Sequence, residues 1–321
     1  MALARVSSKS FIKKSDLRHL SWIASDAERK GSTSLPSSVL KLDLLPFLVG
    51  ELKVVAGWYH TLVFLTSGDM WSFGEEVALR HSIPSNLGRI HQLVAGRGHT
   101  CALMEDGGLM CFGDDTDGQC SLPGDIGPVA QVAAGHYHTC VISTGGRLQC
   151  FGDDRFGQCS APQDLGRVVQ VAAGRYHTCA LLEGGSLRCF GANHEGQCNE
   201  PLDLGPAVGV AAGEHHTCAV LADGRLRCFG DNRYGQCLVP DDLGLVSKVV
   251  AGHNHTCAIL ENGRVRCFGD NSYGQCSVPE DLGPIMHVTA GRHHTCVVLK
   301  DGCVKCYGDN SYGQCSVPAG L

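Results

Sequence analysis

One motif returns at a fixed step and limits the chain to very few folds. Ala-Gly-x-x-His-Thr, usually followed by Cys, places histidines at His60, His99, His138, His177, His216, His255 and His294, each 39 residues after the last. A second motif, Cys-Phe-Gly or Cys-Tyr-Gly, starts at Cys111, Cys150, Cys189, Cys228, Cys267 and Cys306. A third, Gly-Gln-Cys, ends at Cys120, Cys159, Cys198, Cys237, Cys276 and Cys315. All three keep one register with almost no insertion or deletion, which is the signature of a solenoid, propeller or array. The units run 46–84, 85–123, 124–162, 163–201, 202–240, 241–279 and 280–318.

Each unit reads as strands. In 208–230, short apolar runs with partial alternation are broken by Gly and by Asp223-Gly224, a hairpin turn whose residues tolerate positive φ. Asp106-Gly107, Gly145-Gly146, Asn262-Gly263 and Asp301-Gly302 occupy the same place. A further strand leads into Ala-Gly, giving three per unit. A fourth, in Gln-Cys-x-Val-Pro, would be short, because its proline cannot donate to a ladder. The expected fold is all-β: a closed seven-bladed β-propeller with about three antiparallel strands per 39-residue blade. Residues 1–45 are expected to be a basic N-terminal extension, partly disordered or loosely docked.

These motifs resemble the repeats of the regulator of chromosome condensation family, in the short-repeat, three-stranded form seen in β-lactamase inhibitor protein II. The resemblance covers 46–318 and implies a seven-bladed propeller. It does not imply one function, since propellers host many. Members include a nucleotide exchange factor for a small GTPase, substrate-side modules of ubiquitin ligases, a plant UV-B photoreceptor and an enzyme inhibitor. A photoreceptor would need a tryptophan cluster, and the chain has Trp22, Trp58 and Trp71 only. A ligase module would need a second large domain, and an exchange factor special insertions on one face. The aromatic after Cys (Phe112, Phe151, Phe190, Phe229, Phe268, Tyr307) reads as core packing where relatives often carry Trp.

Charge narrows the partners. Residues 1–45 carry eight Lys or Arg against four acids, a net +4, so the whole chain's −6 leaves −10 for the ring. Such a ring repels nucleic-acid phosphates, and no direct nucleic-acid binding is expected. No apolar stretch is long enough to span a membrane, and the start lacks the apolar run of a secretory signal. A cytoplasmic or nuclear monomer is expected, with organelle targeting by the N-terminal tail as the alternative.

Eighteen of the 19 cysteines are repeat positions, and Cys303 is extra. The first unit replaces all three with Leu62, Ser72 and His81. Cys101/Cys111, Cys140/Cys150, Cys179/Cys189, Cys218/Cys228, Cys257/Cys267 and Cys296/Cys306 each flank a hairpin and would face one another across it. Two readings stay open: six hairpin disulfides, or reduced packed thiols, which the missing secretory signal favours. Structural zinc would call for two close Cys-x2–4-Cys pairs, and the sequence has a single one, Cys303-x2-Cys306. A histidine repeated seven times is an architectural part, expected to hydrogen-bond backbone beside the Ala-Gly turn. The Gly-rich turns lack the Lys-Ser/Thr of a phosphate loop. Neither catalysis nor a cofactor is expected.

Chain direction puts the Ala-Gly-x-x-His loops and the Gly-Asp-Asn-x-x-Gly-Gln loops on one face, and the hairpins on the other. The variable positions of those two loops carry Trp58, Tyr59, Arg97, His136, Tyr137, Phe156, Arg175, Tyr176, Arg233, Tyr234, Tyr273, Arg292, His293 and Tyr312. Tyr, Trp and Arg are the usual anchors of protein interfaces. The favoured function is therefore a non-catalytic platform for a protein partner. The alternatives are a small-GTPase regulator or ubiquitin-linked recognition module, and a thiol-rich structural or redox ring. The competing reading of Tyr234, Tyr273 and Tyr312 is packing against the next blade.

Overall fold

The computed structural model describes residues 5–6, 51–66, 69–74, 84 and 87–318. The expected extension 1–45 lies outside the described residues, apart from Arg5–Val6. Those two residues pair antiparallel with the outer strand of blade 1, at Trp71 and Met70.

Every blade is an antiparallel sheet of three consecutive strands, as in blade 5: Ala207–Ala212, His216–Leu221 and Leu226–Gly230. The first strand is innermost, since the Ala-Gly ends of all seven line one central cavity. The hairpin between the second and third strands has a three-residue loop, with Leu221 N bonded to Arg225 O at 2.8 Å. Gly224 there sits at φ +81°, which a side chain would resist, and Asp223 Oδ1 caps the Arg225 N–H. No strand forms in the described Gln-Cys-x-Val-Pro stretches, where proline breaks the ladder. Six first strands carry a bulge, and blade 1 pairs regularly.

The core lies between blades. Seven apolar clusters occupy the seven seams; the cluster between blades 7 and 1 joins Cys296, Val298 and Val304 to Val54, Val63 and Phe73. That cluster closes the ring, and among the described residues no strand crosses from one end of the chain to the other. Middle strands are buried on both faces because each is covered by two neighbours, so His216–Leu221 is buried throughout. This is why alternation in the sequence is only partial. Phe229 and Phe268 pack on the seams, as expected for core aromatics.

The repeated histidine does something other than expected. Its partner is the threonine of the next blade rather than backbone: His138 Nε2 to Thr178 Oγ1 at 2.9 Å, and His177 to Thr217 at 3.0 Å. The same bond recurs at His99–Thr139, His216–Thr256, His255–Thr295 and, closing the ring, His294–Thr61. Thr178 Oγ1 in turn donates to Gln158 O at 2.8 Å, so each threonine ties two blades. The ring of each histidine presses on its own Ala-Gly turn. A Cβ at Gly174 would overlap the His177 imidazole, which is why only glycine stands there.

Candidate functional site

Both variable loops emerge on the face that the Ala-Gly ends define. They are bonded to each other within a blade: Asp231 N to His215 O at 2.8 Å, Asp153 N to Tyr137 O at 2.9 Å. The outer loop is a self-contained frame. Gln236 Oε1 accepts from Tyr234 N, Asn232 Oδ1 from Cys237 N, and Cys237 Sγ donates to Asp231 O at 3.3 Å. Burial pushes the Cys237 thiol up to about 12, as it does Cys120, Cys159, Cys198, Cys276 and Cys315. These cysteines fasten loops and stay protonated. The frame then displays whatever residues fill its variable positions.

The displayed side chains form concentric rings. The first variable residue of each inner turn surrounds the axis: Trp58, Arg97, His136, Arg175, Glu214, His253 and Arg292. Trp58 crosses the mouth, with the guanidinium carbons of Arg97 and Arg292 at 4.4 and 4.6 Å from its ring centre and His136 at 4.8 Å. Cation–π attraction of this kind strengthens as water is excluded. Arg97 and Arg292 donate to the hydroxyls of Tyr137 and Tyr59. On the far side, Arg175 and His253 both hold the Glu214 carboxylate, which is 3 % exposed. Burial pushes the Glu214 carboxyl up, opposed by Arg175. Burial and neighbouring cations push His253 down to about 3, so it meets Glu214 as a neutral donor. The cavity beneath these side chains measures about 90 Å³.

Outside this ring, Tyr59 packs on Tyr312, Tyr176 on Phe156 and His293 on Tyr273, with ring centres 4.9–5.0 Å apart. Tyr137 stacks on Tyr176. An outer aromatic thus rests on the inner turn of the following blade, yet Phe156, Tyr273 and Tyr312 remain 43–53 % exposed. Packing and display coexist. Tyr234 is equally exposed, and among the described residues no ring stacks on it. Arg233 stands apart from the axis: its guanidinium holds Asp231 through two bonds, at 2.8 and 3.0 Å, within its own loop. Arg155 does the same with Asp153. Sequence reasoning missed Glu214. The signal was there, since it is the one acid at a position otherwise occupied by Trp, Arg and His.

The hairpin cysteines face each other in register, away from this surface. Cys101–Cys111, Cys140–Cys150, Cys218–Cys228, Cys257–Cys267 and Cys296–Cys306 are joined, with Cα atoms 4.1 Å apart in each. Cys179 and Cys189 are opposite in the same register with sulfurs 2.7 Å apart and unbonded. Such short Cα separations are those of antiparallel pairs without mutual hydrogen bonds.

The family model for the regulator of chromosome condensation (RCC1) repeat matches 52–76, 90–119, 129–158, 168–197, 207–236, 246–275 and 286–314. The chain belongs to the regulator of chromosome condensation repeat family. Solved structures agree in fold. The ectodomain of the Physcomitrella patens receptor kinase CR4 superposes with TM-score 0.67 at 20% identity, over 81% of this chain and 74% of that one. Human WBSCR16 gives 0.66 at 17%, over 79% and 88%. Prp20p of Saccharomyces cerevisiae gives 0.63 at 18%, over 72% and 74%. No curated protein matches the chain in sequence. Among the described residues no helix is long and apolar enough to cross a membrane.

Proposed function

We propose that this RCC1-repeat propeller is a non-catalytic platform that holds a protein partner on its loop face. One observation carries the reading. The seven inner turns keep Ala, Gly, His and Thr, while the residue shown at the axis changes from Trp to Arg, His, Arg, Glu, His and Arg. A frame repeated sevenfold around a set of unlike side chains is built for recognition of an asymmetric surface. The aromatic and arginine content of that set suits the centre of a protein interface. A cytoplasmic or nuclear setting goes with this reading.

The test is affinity purification of the full chain beside the combined Tyr137→Ala, Tyr176→Ala, Arg292→Ala variant. Partners should fall away from the variant while its melting behaviour and circular dichroism stay those of a folded propeller. A folded variant that keeps every partner refutes the loop face. A second reading, regulation of a small GTPase, draws on likeness to Prp20p, studied for its binding to Gsp1p and histones. Accelerated nucleotide release from a candidate GTPase would support that reading, and unchanged release from all of them would remove it.

A further inference from the structure

We propose that the axial cavity takes a single carboxylate, of a side chain or a chain terminus, presented by the protein partner. This rests on the loop-face reading and names what its centre selects. At about 90 Å³ the cavity has room for a small polar group such as a carboxylate. Two of its lining side chains carry unmet donors. Among the described residues Trp58 Nε1 and Arg292 Nε are buried with no hydrogen-bond partner, and neither can accept. Arg175 Nε, beside Glu214, is in the same condition. The ring's own carboxylate, Glu214, is already taken by Arg175 and His253. Buried donors of this kind call for a partner that brings acceptors. A carboxylate brings two oxygens with about four acceptor sites and a charge to match the guanidinium excess.

The surroundings restrict the ligand further. Arg97, Arg175 and Arg292 against Glu214 leave an excess of positive charge at the axis, within a propeller that is acidic as a whole. The outer loops surround it with Asp114, Asp115, Asp117, Asp154, Asp270 and Asp309. Those carboxylates repel a long acidic tract. The fitting ligand is one carboxylate with neutral or basic neighbours.

The chain has three tryptophans, so a ¹⁵N spectrum shows three indole N–H signals, and Trp58→Phe identifies the axial one. Full-length protein is titrated with N-acetyl-aspartate amide (a side-chain acid with blocked ends), with N-acetyl-alanine (a free terminus), and with N-acetyl-asparagine amide as the uncharged isostere. The Trp58 signal should move saturably with one or both acids, at least about tenfold more tightly than with the asparagine compound. Response to aspartate alone assigns a side chain, and to alanine alone a terminus. Arg292→Gln should weaken the response by about tenfold, with the other two indole signals unmoved. Equal response to aspartate and asparagine, or none to either acid, overturns the proposal. If neither acid registers while the combined loop variant still loses its partner, the loop face stands and the carboxylate alone is withdrawn.

Discussion

At the scale of single residues the ring is built around buried histidines kept neutral by their surroundings. Burial pushes His60, His99 and His255 down to about 4, and His138, His216 and His294 to about 3. The unfolded chain takes up protons near pH 6.5, before the folded one can. Their contribution is therefore whole above about pH 6.5 and is lost as pH falls toward the folded values, at about 1.4 kcal/mol for each histidine by pH 5.5. Melting temperature should drop steeply between pH 7 and pH 5; a flat profile over that range would show that these imidazoles are not buried neutral. The cysteines give a second residue-level prediction. Cys179 and Cys189 stand opposite in the same register as the five joined hairpin pairs, so a mild oxidant should close this sixth pair too without unfolding. Intact mass after alkylation should then count seven free thiols, and nineteen after reduction, with the same circular dichroism throughout. Nineteen free thiols after oxidation, or loss of fold on forming the bonds, would contradict the pairing. Loop cysteines such as Cys237, with the thiol pushed up to about 12 by burial, should alkylate slowly in the folded protein.

At the scale of the blade, stability resides in the seams, and one seam differs. Among the described residues His60 has no hydrogen-bond partner at either ring nitrogen, whereas every other repeat histidine reaches a threonine. Blade 1 also lacks the bulge and the three cysteines. Hydrogen exchange should therefore open the seam between blades 1 and 2 first, with the middle strands of blades 3 to 6 slowest. Uniform protection around the ring would contradict this. The closing seam depends on Thr61, which pairs with His294 and donates to Gln314 O at 2.8 Å. Thr61→Val leaves both partners buried and unmet, and should cost about 2–4 kcal/mol in chemical denaturation; a loss below about 0.5 kcal/mol would mean the seam closes on apolar contacts alone. The blades were legible in the sequence because strand periodicity, Asp-Gly turns and a fixed step are local signals. The histidine's partner was not, since it stands 40 residues on, in another sheet, and nothing local distinguishes a threonine hydroxyl from a backbone group.

At the scale of the whole molecule, chain direction alone sorts the loops to one face, and so placed Trp58, Arg97, Tyr137, Arg175, Tyr176 and Arg292 together. What it could not give is distance from the axis. Arg233 and Arg292 look alike in sequence, yet one folds back on Asp231 two residues away and the other lies against Trp58 across the ring closure. Glu214 likewise gains meaning only when seven turns meet, bringing Arg175 and His253 to it from the blades on either side. The result is a closed scaffold with one hairpin face of repeated turns and one face whose central residue changes from each blade to the next. That asymmetry is the central claim, and a hydrogen-exchange footprint of the chain bound to its purified partner tests it most directly. Protection should fall on 57–59, 136–137, 175–176 and 291–293, with the hairpins 105–108, 222–225 and 261–264 unchanged. Protection of the hairpins with the axial turns unaltered would contradict the account.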